Sequence, residues 1–184
     1  MNITNLEYYP ADLHNLRALV TGNLKPKMQA VDVGCYCGAG AILAMLPYVQ
    51  AMGGNLLCVD RFDAREGMPD REHAMHSNLN VYELLTHNIA AAGYTNEVMI
   101  AKGDSLNAAK VVPNRSQDWI YIDADHSYYA VRADIEAWSD KVKLGGILCG
   151  HDYDRHHPGV VEAADEIGAD STGRIWWKTI GEGE

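Results

Sequence analysis

Short apolar runs alternate along this chain with longer stretches in which apolar residues recur at helical spacing. Each short run is bounded by polar residues or glycine, which is typical of a buried β-strand. Strands that alternate with helices indicate the doubly wound α/β class, a mostly parallel sheet with helices on both faces. The predicted strands are Gln29–Val33, Asn55–Asp60, Val98–Lys102, Trp119–Ile122 and Ile147–Gly150.

The helix over Val81–Ala92 has the clearest boundaries. Asn80 precedes it and Glu83 follows three residues later, which is a capping-box arrangement. Gly93 lies directly after its last apolar residue, where a helix commonly stops. The other predicted helices are Ala11–Val20, Ala41–Leu46, Ser127–Trp138 and Gly159–Ile167.

Three segments interrupt the regular alternation. Pro47 follows the predicted helix 41–46 and is expected to end or kink it. The polar segment Arg61–Asn80 shows little periodicity, and both a lid over a site and disorder are open interpretations. Near the C-terminus only Arg174–Ile180 has the pattern of a strand, so the sixth strand is expected to be short or missing.

Composition limits the class of partner. The 184 residues predict one domain, 1–184, and the net charge of −10 makes a nucleic-acid partner unexpected, because such a surface repels phosphates. No export signal or membrane span is recognised. The four cysteines are expected to be buried free thiols in a reducing compartment, which favours a cytoplasmic protein. An exposed Trp176 or Trp177 would favour a homodimer.

The segment Val31–Gly40 is the most informative part of the chain. It follows a strand and opens a helix, so backbone N–H groups at the helix start can face a ligand. Gly34 and Gly38 would allow that ligand to approach the backbone closely. The dinucleotide fingerprint G-x-G-x-x-G is absent, and Asp32 suits a cationic or amine-bearing ligand. A tight turn without a ligand is the alternative.

Asp60 ends the second predicted strand. A carboxylate at this position can accept hydrogen bonds from both hydroxyls of a ribose. The spacing between Gly34 and Asp60 fits one βαβ unit, although a solvated strand-end acid is common in α/β proteins. The glycine loop and the acid together favour a nucleoside-containing ligand more strongly than either feature alone.

Asp32-Val-Gly34-Cys-Tyr36-Cys-Gly38 resembles the first motif of class I S-adenosylmethionine (SAM)-dependent methyltransferases. With tyrosine in place of a central glycine, it is similar to the catechol and caffeoyl-CoA O-methyltransferases. The resemblance implies a Rossmann-like fold, with the loop on the methionine portion of SAM and Asp60 on the ribose. Lys102-Gly-Asp104-Ser105 resembles the turn near the adenine. The implied cofactor-binding residues are Asp32, Gly34, Cys35, Tyr36, Gly38, Asp60, Arg61, Asp104, Ser105 and Asp123.

Two later strands end in acidic residues and histidines. Asp123 and His126 follow one strand, and His151 and Asp152 follow the next. Ligands of open α/β sheets bind outside the carboxyl ends of the strands, so both clusters are expected beside the glycine loop. Asp123, His151 and Asp152 could hold a divalent cation, with the carboxylates favouring Mg²⁺ or Mn²⁺ and the imidazole favouring Mn²⁺, iron or zinc. His126 could take the proton from an acceptor hydroxyl.

The resemblance extends to these residues. In metal-dependent O-methyltransferases an Asp at the position of Asp123 and a pair at the positions of His151 and Asp152 bind magnesium. That pair is usually Asp-Asn, or Asp-Asp in the macrolide sugar O-methyltransferases, so this chain departs from the pattern at His151. His126 stands where catechol-type enzymes keep a catalytic lysine. The ending His-Asp-Tyr153 is closer to the macrolide-sugar and cephalosporin-tailoring group.

Other interpretations of these residues stay open. Asp125 or Ser127 could simply cap the following helix. His156 and His157 are expected to be solvated, with substrate contact as the alternative. SAM-dependent methylation of a small-molecule hydroxyl is the leading function, with Asp123 and His126 as the catalytic residues. The competing functions are a SAM-binding protein without activity and a nucleotide-dependent oxidoreductase, against which the missing fingerprint counts.

Overall fold

The computed structural model describes residues 9–63 and 80–181. All five predicted parallel strands and all predicted helices are present, with boundaries shifted by a few residues. Most of the segment 61–80, for which a lid was one interpretation, lies outside the described residues. The elements are α1 (Pro10–Gly22), β1 (Gln29–Val33), a π-helical turn (Ala41–Met45), α2 (Leu46–Ala51), β2 (Asn55–Asp60), α3 (Val81–Ala92), β3 (Val98–Lys102), α4 (Ser105–Val111), β4 (Gln117–Ile122), α5 (Tyr128–Ser139), β5 (Val142–Gly150), α6 (Pro158–Glu166), β6 (Asp170–Thr172) and β7 (Ile175–Thr179).

The described strands form one seven-stranded sheet in the order β3-β2-β1-β4-β5-β7-β6. Strands β1 to β5 are parallel, whereas β7 is antiparallel to β5 and to β6. The predicted doubly wound α/β fold is therefore confirmed, and the sixth strand is short, with three residues. From β1 to β3 the strands are added on one side of β1, and from β4 onward they are added on its other side. The carboxyl ends of β1 and β4 are therefore the topological switch point of the sheet.

Two hydrophobic layers cover the faces of the sheet. Alternate residues of β1 point into different layers, with Ala30 in one and Val31 and Val33 in the other. Helices α1 to α3 close the first layer, and α4 to α6 close the second. Burying one large apolar side chain, such as Trp138, contributes roughly 1.5–3 kcal/mol. These layers hold the carboxyl edge of the sheet in place.

The boundaries of α3 follow the predicted chemistry. The side-chain oxygen of Asn80 accepts a hydrogen bond from the backbone N–H of Glu83 at 3.2 Å. Gly93 ends the helix with a φ of +85°, in the left-handed region that favours glycine. Both end signals of this helix are therefore confirmed.

The helical segment after the glycine loop does not end at Pro47, contrary to expectation. The π-helical turn precedes α2, and Pro47 lies in the first turn of α2, where a missing N–H is tolerated. Residue 47 has no N–H to offer the carbonyl of Leu43, four residues earlier. Arg17 of α1 donates to that carbonyl instead, from Nε at 2.9 Å and from Nη2 at 2.7 Å. The guanidinium thus ties α1 to the segment that leaves the glycine loop.

The C-terminal tryptophans are not exposed. Trp176 is buried against Gly150 of β5, and Trp177 is half-buried against the first hydrophobic layer. The exposure on which the homodimer was conditional is therefore not found, because these residues are used inside the fold, and the homodimer stays a prediction.

The cysteines and the helices bear on two further expectations. All four cysteines are free and buried, as predicted. Within residues 9–63 and 80–181, no helix combines the length and the apolar character that crossing a bilayer requires.

Candidate functional site

The loops that follow β1, β2, β4 and β5 meet at the switch point of the sheet. Gly34 begins the loop after β1 and lies directly against the backbone of Asp123, the first residue after β4. A Cβ atom at Gly34 would come within 2.1 Å of the Asp123 carbonyl oxygen. Only glycine fits this position, because its φ of +85° also disfavours a side chain. The glycine loop and the acidic cluster are thus parts of one site.

The carboxylate of Asp60 holds the glycine loop. Its Oδ2 accepts a hydrogen bond from the backbone N–H of Tyr36 at 2.9 Å, and its Oδ1 accepts one from Phe62 at 2.8 Å. Tyr36 has a φ of +46°, so the loop turns sharply at this residue. Each carboxylate oxygen keeps a second lone pair, which suits the predicted contact with two ribose hydroxyls.

Asp32 is the buried acid of this site. Its side chain is 1% exposed, and apart from a weak interaction with the backbone of Ala41 neither carboxylate oxygen has a hydrogen-bond partner among the described residues. Burial raises the pKa of Asp32 well above its ordinary value, and the charges of Asp123 and Asp60 add to the rise, against a smaller opposing effect from the backbone of Ala41. A buried carboxylate without partners is costly unless a ligand compensates it. An ammonium group would do so, as expected from the sequence.

Four of the predicted cofactor residues have other contacts. The side chain of Cys35 is buried in the first hydrophobic layer, so only its backbone belongs to the loop. Arg61 forms an exposed ion pair with Asp63 at 3.2 Å. Asp104 caps α4 by accepting from two backbone N–H groups, and the hydroxyl of Ser105 donates to Asp134. The adenine contacts of Asp104 and Ser105 stay predictions.

Asp152 is the centre of the acid–histidine cluster. Its Oδ2 lies 2.9 Å from Nε2 of His126, and its Oδ1 lies 3.2 Å from Nδ1 of His151 and 3.6 Å from Nδ1 of His157. The backbone of Asp152 has a φ of +58°, a conformation uncommon for a residue with a side chain. Strain of this kind persists where the surroundings hold a residue in place, often at functional sites.

Asp123 completes the predicted metal-binding group. Its carboxylate lies 4.0 Å from His126 and 4.0 Å from Nδ1 of His151, and it accepts a hydrogen bond from the hydroxyl of Tyr121 at 3.3 Å. The donor atoms of Asp123, His151 and Asp152 all lie within 4.8 Å of one another. The structure therefore brings the three predicted ligands together. Asp125 has a structural role, since its carboxylate accepts a hydrogen bond from the backbone N–H of Ser127 at the start of α5.

The proximity of acids and imidazoles shifts their protonation. The carboxylates of Asp123 and Asp152 raise the pKa of His126 to about 10. Burial opposes the ionisation of Asp152, but the hydrogen bonds from His126 and His151 outweigh it and lower its pKa below the ordinary value. Burial likewise opposes the protonation of His151, yet Asp152 and Asp123 raise its pKa. The two imidazoles therefore favour their protonated, positively charged forms, and Asp152 favours its ionised form.

Sequence reasoning missed three members of this cluster. Asp12, in the first turn of α1, is buried with Oδ2 3.2 Å from Nε2 of His151. Arg174, just before β7, contacts Asp152 and lies 3.4 Å from Asp12 and 2.8 Å from Asp154. His157, expected to be solvated, is half-buried, and its ring centroid lies 4.7 Å from that of His126. No local pattern marks Asp12 or Arg174, because only the tertiary fold brings them to the site.

The glycine loop, the unpartnered acid and the strand-end acid define an α/β protein that binds a nucleoside-containing ligand with an ammonium group. The model of the methyltransferase-domain family matches residues 31–153. The chain therefore belongs to this family of methyltransferases, and SAM is its methyl donor. The predictions of family, fold and SAM-dependent methyl transfer are confirmed.

Solved structures of methyltransferases share this fold. The O-methyltransferase NovP is 18% identical, with 94% of this chain and 80% of that chain covered, at a TM-score of 0.68. A SAM-dependent O-methyltransferase from Thermotoga maritima is 13% identical over 98% and 69% of the two chains, with a TM-score of 0.68. The Podospora anserina methyltransferase PaMTH1, bound to S-adenosylhomocysteine (SAH), is 12% identical over 96% and 80%, with a TM-score of 0.70. A search of curated proteins found no match.

Proposed function

We propose that this chain transfers the methyl group of SAM to a hydroxyl group of a small molecule. One observation carries the proposal: Gly34 of the loop that would hold the methyl donor lies against Asp123 of the acid–histidine cluster. The methyl group of bound SAM and the proton-accepting carboxylate of Asp123 would therefore share one cleft. Holding two reactants in line in this way supplies much of the acceleration in methyl transfer.

The residues of the glycine loop fit SAM. The buried carboxylate of Asp32 suits its ammonium group, and Gly34 lets the glycine loop pack directly against the backbone of Asp123. Asp60 would receive the ribose hydroxyls, while its present bonds to Tyr36 and Phe62 keep the loop in shape. When bound, SAM supplies a methyl group on a positively charged sulfur.

Asp123 is the proposed proton acceptor. Its side chain and that of His126 are 27% and 31% exposed, so a substrate hydroxyl can reach both. His126 lies 4.0 Å from Asp123, and because its pKa of about 10 keeps it protonated near neutral pH, it would stabilise the negative charge that develops on the acceptor oxygen. Removing the acceptor proton raises the electron density on the attacking oxygen, which is the usual contribution of a general base.

A divalent cation fits the other side of the cluster. Asp12, Asp123, Asp152 and Asp154 bring four carboxylates to a site where, among the described residues, Arg174 is the one arginine or lysine in contact with them. We assign Asp123, His151 and Asp152 as ligands of Mg²⁺ or Mn²⁺. When bound, such an ion would orient the acceptor hydroxyl and lower its pKa.

The net charge bears on the class of acceptor, and the cysteines bear on the cellular compartment. The net charge of −10 disfavours nucleic acids as acceptors and leaves small molecules. The buried free thiols are compatible with the reducing cytoplasm, where we place the protein.

Transfer of a labelled methyl group from SAM to a panel of small phenols, catechols and hydroxylated sugars tests the proposal. We expect label in at least one hydroxyl, with kcat reduced by about 10²–10⁴ in Asp123→Asn. The exposed Asp63→Asn variant is the matched control and should keep its activity. SAM binding without transfer to any acceptor would support the binding-protein alternative. Tighter binding of NAD than of SAM would support the oxidoreductase.

A further inference from the structure

Asp152 lies between two sets of potential metal ligands. One set, Asp123–His151–Asp152, belongs to the proposed function. The second set, which we call the two-histidine set, consists of His126, Asp152 and His157, whose donor atoms also lie within 4.8 Å of one another. Its histidines come from the loop after β4 and from the residue before α6, so the fold brings together elements that are far apart in sequence.

The distances in the two-histidine set are those of ligands around one ion. Ligand atoms that bind about 2.1 Å from a single ion lie roughly 3–4 Å from each other. Asp152 Oδ2 is 2.9 Å from His126 Nε2, and with one donor atom taken from each residue the three atoms lie within 4.8 Å of one another. The two imidazole rings are tilted by 55° with their centroids 4.7 Å apart, so they converge on the carboxylate.

Neighbouring groups can keep their roles when an ion binds. His157 Nδ1 now also contacts Asp154 Oδ1 at 3.0 Å, but Asp154 would retain the backbone N–H groups of His156 and His157, at 2.8 and 3.2 Å. Arg174 contacts Oδ1 of Asp152 and leaves Oδ2 to face His126. A fixed outer partner of this kind orients a ligating carboxylate.

Two imidazoles and one carboxylate select a different metal from a purely carboxylate site. Imidazole nitrogen suits zinc, iron, nickel and copper, whereas Mg²⁺ prefers oxygen ligands. We propose that His126, Asp152 and His157 bind a first-row transition-metal ion, at a position separate from the Asp123–His151–Asp152 set but sharing Asp152. The inference rests on the proposed function only for the place of the substrate cleft. The choice of metal rests on the ligand atoms alone.

This assignment also separates the roles of Asp123 and His126. With an ion bound at the two-histidine set, the Nε2 of His126 is a ligand and cannot accept a proton. Asp123 belongs to the other set and remains partly exposed, so it would take the proton from the acceptor hydroxyl. His126 then acts by positioning the ion.

Titration of the metal-free protein with Co²⁺ tests the inference, because cobalt coordinated by imidazoles absorbs visible light. We expect a saturable signal that about a hundredfold excess of Mg²⁺ does not displace. His157→Ala should weaken Co²⁺ binding at least about tenfold, since even the loss of an outer partner costs that much. His156→Ala, which removes the adjacent exposed histidine outside both sets, should bind Co²⁺ like the wild type. Asp123→Ala, which removes a ligand of the other set only, should retain the part of the Co²⁺ signal that His157→Ala weakens.

Three results would overturn the inference: no saturable Co²⁺ signal, equal effects of the two histidine variants, or ready displacement by Mg²⁺. SAH titration of the same His157→Ala protein keeps the test separate from the proposed function. SAH binding should persist in this variant and shows that it is folded. Failure of SAH to bind even the wild type would contradict the methyltransferase proposal and leave the Co²⁺ result to be judged by itself.

Discussion

Replacing Gly34 with alanine tests the close contact between the glycine loop and β4. Alanine would adopt a φ of +85° at a cost of about 1–2 kcal/mol. Its Cβ would also lie 2.1 Å from the Asp123 carbonyl oxygen and 2.6 Å from the carbonyl carbon, so the backbone must move. Such a forced shift costs about 1–3 kcal/mol more. We expect Gly34→Ala to lower the free energy of unfolding by roughly 2–5 kcal/mol.

Gly93→Ala is the matched control. Gly93 has the same φ of +85°, but a Cβ there would meet nothing within 4 Å, so only the backbone strain of about 1–2 kcal/mol applies. Urea denaturation followed by tryptophan fluorescence measures both variants in the ligand-free protein. Equal losses in the two variants would refute the contact between the loop and Asp123. Weaker SAH binding is expected for Gly34→Ala alone.

Three further predictions concern buried charges and thiols. Burial raises the pKa of Asp32 in the folded protein above its value in the unfolded chain. The free energy of unfolding therefore falls as the pH rises towards the folded-state pKa, because the folded protein resists ionisation of this carboxyl group. Asp32→Asn should therefore raise the midpoint of thermal unfolding near pH 7 without ligand and abolish SAH binding; a lower midpoint contradicts this. Arg174→Met should cost about 3 kcal/mol in urea denaturation because Asp152 loses its guanidinium, and an unchanged stability would exclude that role. Burial raises the pKa of the Cys35 and Cys149 thiols, so mass spectrometry should find them unalkylated by iodoacetamide until the protein unfolds.

Local patterns predicted the elements of the fold well because its strands and caps are locally encoded. The apolar runs became β1 to β5, and Asn80 and Gly93 mark the ends of α3 as their chemistry requires. Pro47 is different. Its effect depends on Arg17, thirty residues earlier, which supplies the hydrogen bond that the proline cannot make. No pattern in the neighbouring residues reveals such a compensation.

The candidate site likewise contains some residues that the sequence predicts and others that only the tertiary fold brings to it. Asp123, His151 and Asp152 were predictable because they end parallel strands, and the carboxyl ends of parallel strands share one edge. Asp12 reaches His151, and Arg174 reaches Asp152, only because α1 and the β6–β7 hairpin pack on that edge. The exposure of Trp176 was also beyond prediction, because its pairing opposite Gly150 determines that the ring is buried.

Calorimetric titration of SAH into the wild type and two acid variants tests the central claim most directly. The claim is that the loop after β1 and the acid after β2 form the SAM site of this methyltransferase. We expect binding on the order of micromolar in the wild type and in Asp63→Ala, which removes an exposed acid and its ion pair with Arg61 but leaves Asp60 in place. Binding should be lost in Asp60→Ala, which removes the carboxylate that holds the backbone of Tyr36 and Phe62. Undiminished SAH binding in Asp60→Ala, or no binding in the wild type, would contradict the assignment of this site.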